Sequence, residues 1–479
     1  MKTLLSRLLP AALAVALLLT GCGQSAASPL DPQKPTTITV WTYYNGGQLD
    51  AFNALVEEFN TTVGKEQGIF VEAFSQGSVN DLETNVLAAA DGKVGAGDMP
   101  NIFAAYADNA YALDQKGMVA DLRPYFTDEE LSAYVDSYVD EGRFSDDGSI
   151  KIFPIAKSTE IFLLNKTDWD VFAAATGAKP QDFATMEGLV ATAQRYYEWT
   201  DSLTPQPNDG KAFFGRDAFA NYMLLGAMQL GNEFFSVTNG EMTLQLDKAV
   251  MRKLWDNFYA PYIKGYFASS SRFRSDDVKT GNVIAFIGSS SGATFFPDHV
   301  IVSDTESYPI EMEVFPCPRF EDGQPYFVQQ GAGMVVTTGT EEQVYASVQF
   351  LKWFTSDQRN ITFSVDSGYL PVTKSANNLA AIQAQKPDLS PAMEQLLSVA
   401  VDTVNNSKLY TPKAFAQGTD ARAILESSMR DLAKQDRETV LAKLAEGAAL
   451  AEATAPFLTD DHFNGWFEDL QTQLEATAG

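Results

Sequence analysis

Residues 36–44 read TTITVWTYY, and Asn45-Gly46-Gly47 follow at once. β-branched and aromatic side chains dominate the run, which is the composition of a strand, and the Asn-Gly-Gly triplet is a turn signal. Beyond it Leu49, Phe52, Leu55, Val56 and Phe59 recur at helical spacing, predicting a helix over about residues 48–60 with one apolar face. Further strands are expected over 69–74 and 101–105, with a helix over 80–90 between them. The order βαβαβ predicts an α/β fold, a parallel sheet covered by helices on both faces. In such sheets ligands gather outside the carboxyl ends of the strands, so the residues just after each strand are the ones to examine.

Downstream the pattern changes. Residues 150–165 read as two short extended runs around Pro154, which suits a crossing between lobes better than another βα unit. Helices are expected over 185–199, 217–230 and 247–259, and strands over 283–287, 311–315 and 334–338. The tail from Ser390 is helical in pattern, broken at Thr411-Pro412 and Gly418. No internal repeat or low-complexity tract is present. The chain has 479 residues and a net charge of −28, which excludes the clustered cations that nucleic-acid binding requires. With 45% hydrophobic and only 20% charged residues it is globular, and its length suggests two or three domains at about 100–200 residues each. Two histidines, His299 and His462, and two cysteines, Cys22 and Cys317, are too few for a Cys/His zinc module or a disulfide framework, so no metal and no cofactor is expected.

The N-terminus reads as an address. Lys2 and Arg7 precede an apolar run over 8–19 that is too short to span a bilayer, the pattern of a secretory signal. It ends in Leu19-Thr20-Gly21-Cys22, which resembles the lipobox of bacterial lipoproteins. That resemblance implies cleavage after residue 21, lipidation of Cys22 and anchoring on the outer face of the cell membrane. Cleavage removes Lys2 and Arg7 and no acid, leaving −30 in side chains. Residues 23–35 are small, Pro-containing and unpatterned, and read as a flexible tether with a reach of roughly 40 Å. Cys317, between two prolines, is then unpartnered and reads as a buried thiol.

Six separated stretches look like the extracellular solute-binding proteins of family 1, receptors of ABC importers for sugars and glycerol phosphate. They are the first strand with Trp41; Met99-Pro100-Asn101-Ile102 with 106–121; FPIAKSTEIFLLNK at 153–166; TGNVIAFIGSSSG at 280–292; Gly331-Ala332-Gly333-Met334; and SGYLPV at 367–372. The resemblance implies a periplasmic-binding-protein type II fold, two doubly wound lobes joined by hinge strands, with a helical C-terminal tail. It implies a first lobe over 36–157 and 331–370 and a second over 158–330 and 371–479. It also implies a monomeric receptor that closes on a small molecule and hands it to membrane permease subunits, with no chemistry of its own.

A sugar offers hydroxyls to carboxylates and amides and C–H faces to aromatic rings, so its cleft needs both kinds of side chain. The resemblance assigns ligand contacts to Tyr43, Tyr44 and Asn45 after the first strand, where alternation sends one tyrosine into the core. Ser75 and Gln76 follow the second strand. Tyr106 and Asp108 follow the third, with Asp108 alternatively capping the next helix. Ser158 and Glu160 lie on the first crossing, and Asp217 either caps a helix or binds. Ser289, Ser290 and Ser291 follow a later strand, Gly331 matches a glycine whose backbone nears the ligand, and Tyr369 belongs to the GYLP motif. Arg422 matches an arginine that the glycerol-phosphate branch uses for phosphate, or pairs with Glu426 one turn on. That branch's tryptophans are missing from GRDAFANY at 215–222, and three carboxylates, Asp108, Glu160 and Asp217, would repel a phosphate. The expected ligand is therefore a mono- or oligosaccharide, with glycerol-3-phosphate or a glycerophosphodiester as the alternative. Gly288-Ser289-Ser290-Ser291-Gly292 also fits the G-x-S-x-G pattern of a hydrolase, with Ser290 as nucleophile and His462 downstream, but no oxyanion segment accompanies it.

Overall fold

The computed structural model of this protein describes residues 28–238 and 240–477. The opening run forms strand β1 (Thr36–Thr42), and the periodic stretch after it forms helix α1 (Gly46–Thr61), which buries Phe52, Leu55, Val56 and Phe59. Strand β2 (Ile69–Ser75), helix α2 (Val79–Ala90), strand β3 (Ile102–Ala105) and helix α3 (Ala107–Asp114) follow. Ser78 starts α2 with a capping box, its hydroxyl accepting from the Asp81 N–H while Asp81 accepts from the Ser78 N–H. β1 lies parallel to both neighbours, with Val40 opposite Ala73 of β2 and Ile102 of β3.

The second sheet uses β4 (Glu160–Asn165), β5 (Phe214–Arg216), β6 (Ala285–Ser289) and β7 (Met312–Pro316), in the order β7-β4-β6-β5. β6 is parallel to β5 and antiparallel to β4, which is antiparallel to β7. Chain then returns to the first sheet as β8 (Gly333–Val336), antiparallel to β3 with Gly333 opposite Ala105. The first core joins the first sheet (Ile38, Val40, Phe103, Val335, Phe363) to one face of the second (Ile161, Leu163, Phe286, Val314), and the second core covers the opposite face of the second sheet with Phe162, Trp169, Phe213 and Trp255.

Three antiparallel bridges carry the chain between the sheets. Phe153 pairs with Met334, Ser158 with Gln330 and Lys157 with Leu370. The Lys157 ammonium is buried there, 2.5 Å from a Glu141 carboxylate oxygen and 2.7 Å from the Gly331 carbonyl oxygen. Gly331 has φ +95°, and a β-carbon on it would meet the Ala156 carbonyl oxygen at 2.9 Å, so the crossing requires glycine.

Several expected boundaries move. Helix α4 (Phe219–Gln229) starts two residues later than expected because Arg216 still belongs to β5 and the Asp217 N–H bonds the Ile287 carbonyl. The helix expected over 247–259 runs on as Lys248–Ile263, through Pro261. The tail is helical as expected but for one strand beside the expected break: between Pro391–Asn406 and helix α5 (Gly418–Ala445), Lys408–Tyr410 pairs parallel with Tyr326–Val328. After Pro371, Val372 is buried in the first core, and helix Pro391–Asn406, which buries Leu396 and Leu397, packs on β7 and β4 of the second sheet.

The end of the expected tether lies on the body. Leu30 packs against the first core, the Lys34 N–H bonds the Asp31 carbonyl at 2.9 Å, and Gly68 lies against Asp31. Cys22 and the signal-like run lie outside the described residues. Among the described residues no helix is long and apolar enough to cross a membrane. Cys317 is buried in the second core, and burial pushes its thiol well above the usual range.

Candidate functional site

A cleft of about 410 Å³ is lined from both halves of the chain. The first half of the molecule lines it with Asn80 and Glu83 from the start of α2, Tyr106, Asp108 and Asn109 from the start of α3, and Glu141. From the second half come Asn221, Leu224 and Leu225 of α4, Phe235, Tyr410, Phe415, and Thr419 and Arg422 of α5. Gln329 and Gln330 form part of the wall beside a crossing strand. The helices starting at Val79, Ala107 and Gly418 turn their first residues to this space, as expected when loops after strands open into helices.

Asp108 is the residue that joins the halves. It sits in the first turn of α3, and Tyr106 occupies the cap position without a side-chain bond. The Phe415 N–H donates to the Asp108 carboxylate from the other half, and a β-carbon on Gly418 would lie 2.2 Å from Asp108 Oδ1. Burial raises the Asp108 carboxyl to about 6, opposed by Arg422 and by the Phe415 N–H. A second approach lies alongside, where the Tyr111 hydroxyl fills the space beside Gly240.

Behind the cleft wall runs a polar chain. Arg216 pairs with Glu160, both buried, and Asn221 donates to the other Glu160 oxygen at 2.8 Å. Arg422 donates to Asn221 Oδ1 at 2.5 Å, which fixes the guanidinium at the cleft surface. Burial raises the Glu160 carboxyl, with Arg216 opposing.

Of the expected ligand residues, Tyr106, Asp108 and Arg422 line this cleft. Tyr43 lies next door with Tyr106, in a small recess, and its hydroxyl is 3.3 Å from that of Tyr369. Tyr369 is buried, stacks on Phe363 and bonds the Ser291 side chain. Ser289 bonds Ser158 at 3.1 Å and Ser291 at 2.9 Å within the second half, and the bond from Tyr369 to Ser291 makes a second contact between the halves. Tyr44 is the core member of its pair, against Phe52 and Phe363. Asn45 bonds the carbonyls of Tyr43 and Gly77, and Ser75 bonds that of Tyr44, so both brace loops. Gln76 bonds Asn85. Gly331 faces Ala156 and Lys157.

Asp217 neither caps α4 nor lines the cleft. It accepts from the Arg274 N–H at 3.1 Å and pairs with the Arg274 guanidinium, and burial raises its carboxyl to about 6. Arg422 is not the partner of Glu426, which takes Arg430 at 2.9 Å and the Ala220 N–H at 2.7 Å. The carboxylates at the cleft are therefore Glu83, Asp108 and Glu141 rather than the expected trio. For the hydrolase reading, Ser290 is fully buried with its hydroxyl unbonded among the described residues, and His462 Nε2 is engaged with Asp436 and the Tyr259 hydroxyl, each at 2.8 Å. That geometry supplies no base to Ser290.

Sequence reasoning missed the amides. Gln329 and Gln330 stand immediately before Gly331, and Tyr410 and Phe415 flank the Thr411-Pro412 break, so a signal existed for these four. Asn221, a polar residue inside the apolar run of α4, was another. Asn80 and Glu141 carried none.

Comparison with known proteins decides the family. Residues 54–390 match the bacterial extracellular solute-binding protein family. The chain belongs to this family. It is thus a solute-binding protein, the component that captures a small molecule outside the cytoplasm and delivers it to an ABC permease. No curated protein matches the chain. Among solved structures, the cyclic alpha-maltosyl-1,6-maltose binding protein of Arthrobacter globiformis is 18% identical with a TM-score of 0.66, over 92% of this chain and 100% of that one. UgpB of Mycobacterium tuberculosis, in complex with glycerophosphocholine, is 19% identical with a TM-score of 0.65, over 93% and 100%. An ABC transporter solute-binding protein of Agrobacterium radiobacter in complex with ribitol is 16% identical with a TM-score of 0.62, over 92% and 100%. At these identities the likeness is one of fold, the type II periplasmic-binding-protein fold.

Proposed function

We propose that this solute-binding protein captures a mono- or oligosaccharide between Asp108 and Arg422. The carrying observation is the mixture of side chains in the cleft. Amides from Asn80, Asn109 and Gln330 stand beside the rings of Tyr106, Tyr410, Phe235 and Phe415, while Asn221 and Gln329 are already bonded within the wall. Amides and carboxylates bond sugar hydroxyls in either direction, and rings take the sugar's C–H faces. Arg422 is the one feature that favours a phosphodiester such as the glycerophosphocholine of the Mycobacterium neighbour. One of its N–H groups is already held by Asn221, and Glu83 and Asp108 oppose an anion, Glu141 being paired with Lys157. In this reading the cleft residues proper are Tyr106, Asp108, Asn221, Gln329, Gln330 and Arg422. Tyr43, Ser158, Ser289, Ser291 and Tyr369 belong to the contact that forms as the lobes, 36–157 with 331–370 and 158–330 with 371–479, close as a monomer. Lipidation at Cys22 would hold the receptor at the membrane, a point read by metabolic labelling with palmitate in the chain and in Cys22→Ala.

Calorimetric titration of the purified protein with maltooligosaccharides, pentitols and glycerophosphocholine tests the ligand class. Saturable one-to-one binding of a neutral sugar supports the proposal. Tight binding of glycerophosphocholine alone would move the assignment to phosphodiesters.

A further inference from the structure

A second concavity, of about 490 Å³, lies between the later turns of α5 and the segment around Tyr262–Ser270. It shares no lining residue with the interlobe cleft. Lys434 and Arg437, three positions apart on one face of α5, both line it. Lys434 is twelve positions beyond Arg422, about 18 Å along the helix. The carboxylates nearby are already engaged: Arg430 takes Glu426 and Asp431, and Arg274 takes Asp217 and Asp277. Arg437 donates to the Ile263 carbonyl at 3.0 Å. Neither Lys434 nor Arg437 has a carboxylate partner among the described residues, although Glu438 stands on the rim. The protein carries 62 acidic residues against 34 basic ones, so two partly buried cations left facing one cavity are unusual. Burial, with Arg430 and Arg274 adding repulsion and Asp431 and Asp277 opposing it, holds the Lys434 ammonium below its ordinary range. Ser270 and Asn282 add polar groups, while Tyr262 and Phe267 supply apolar wall.

We propose that this concavity is a second ligand site, taking a small molecule whose oxyanion, phosphate or carboxylate, is held between Lys434 and Arg437. An ammonium and a planar guanidinium give such a group charge-assisted hydrogen bonds from two directions.

The test is calorimetric titration of the purified protein with inorganic phosphate and, in a separate arm, citrate, with sodium chloride matching the ionic strength throughout. One saturable site for at least one anion is expected, the two arms telling phosphate from carboxylate. Lys434→Met should weaken it about tenfold or more, Lys434→Arg should retain it, and Arg422→Met should leave it in place. Sugar titration of Lys434→Met checks the fold, since the interlobe cleft does not use this residue. Heats no larger than those of chloride in both arms, or a loss on Arg422→Met with none on Lys434→Met, would overturn the proposal.

Discussion

Asp108 shows how one buried carboxylate ties function to pH. Burial lifts its carboxyl from 3.8 to about 6, so the folded protein holds that proton more tightly than the unfolded chain does. Its contribution therefore runs opposite to that of an ion-paired carboxylate: stability falls as pH rises through the window between those values. Asp108→Asn should flatten the pH dependence of the melting temperature over that window, and thermal melts at pH 4, 5, 6 and 7 check it. A protonated Asp108 loses acceptor capacity, so sugar affinity should drop as pH falls through about 6 in the native protein and stay level in Asp108→Asn. Lys157 makes the opposite case. Its removal strands the buried Glu141, so Lys157→Ala should cost about 3–5 kcal/mol in urea unfolding. A cost below about 1 kcal/mol would show that the crossing does not depend on this pair.

At the scale of elements, what sequence could supply was the periodic part. TTITVWTYY and the apolar stripe after it declared β1 and α1 because both patterns are local. The crossings were legible only as a break in pattern, since the pairing of Ser158 with Gln330 and of Lys157 with Leu370 joins residues far apart in the chain. For the same reason Asp217 and Arg422 were read against neighbours on their own helices, whereas their partners, Arg274 and Asn221, come from elsewhere. The approach of Asp108 to the second half also rests on one small residue at a helix start. Gly418→Ala would drive a methyl into Asp108 Oδ1. That variant should hold the lobes apart, raising the radius of gyration in solution scattering with sugar present and lowering affinity about tenfold or more. Unchanged scattering and affinity would remove Asp108–Gly418 from the closure contact.

For the whole molecule, two separate sheets joined by paired crossing segments are the arrangement a hinge needs, so ligand contacts made only when the lobes meet would shift the population toward closure. The acidity that excludes nucleic acid takes a sharper form here. Most carboxylates are solvated or paired, Glu141 with Lys157 among them, and the cleft retains Glu83 and Asp108 beside Arg422, a balance suited to neutral polyhydroxyl ligands. The most direct test is a crystal structure of the protein grown with the tightest-binding sugar of the titration panel. Sugar density between Asp108 and Arg422, with ring contacts to Tyr106 or Phe415, is the predicted result. A sugar bound elsewhere on the body, with the cleft holding only solvent, would contradict it.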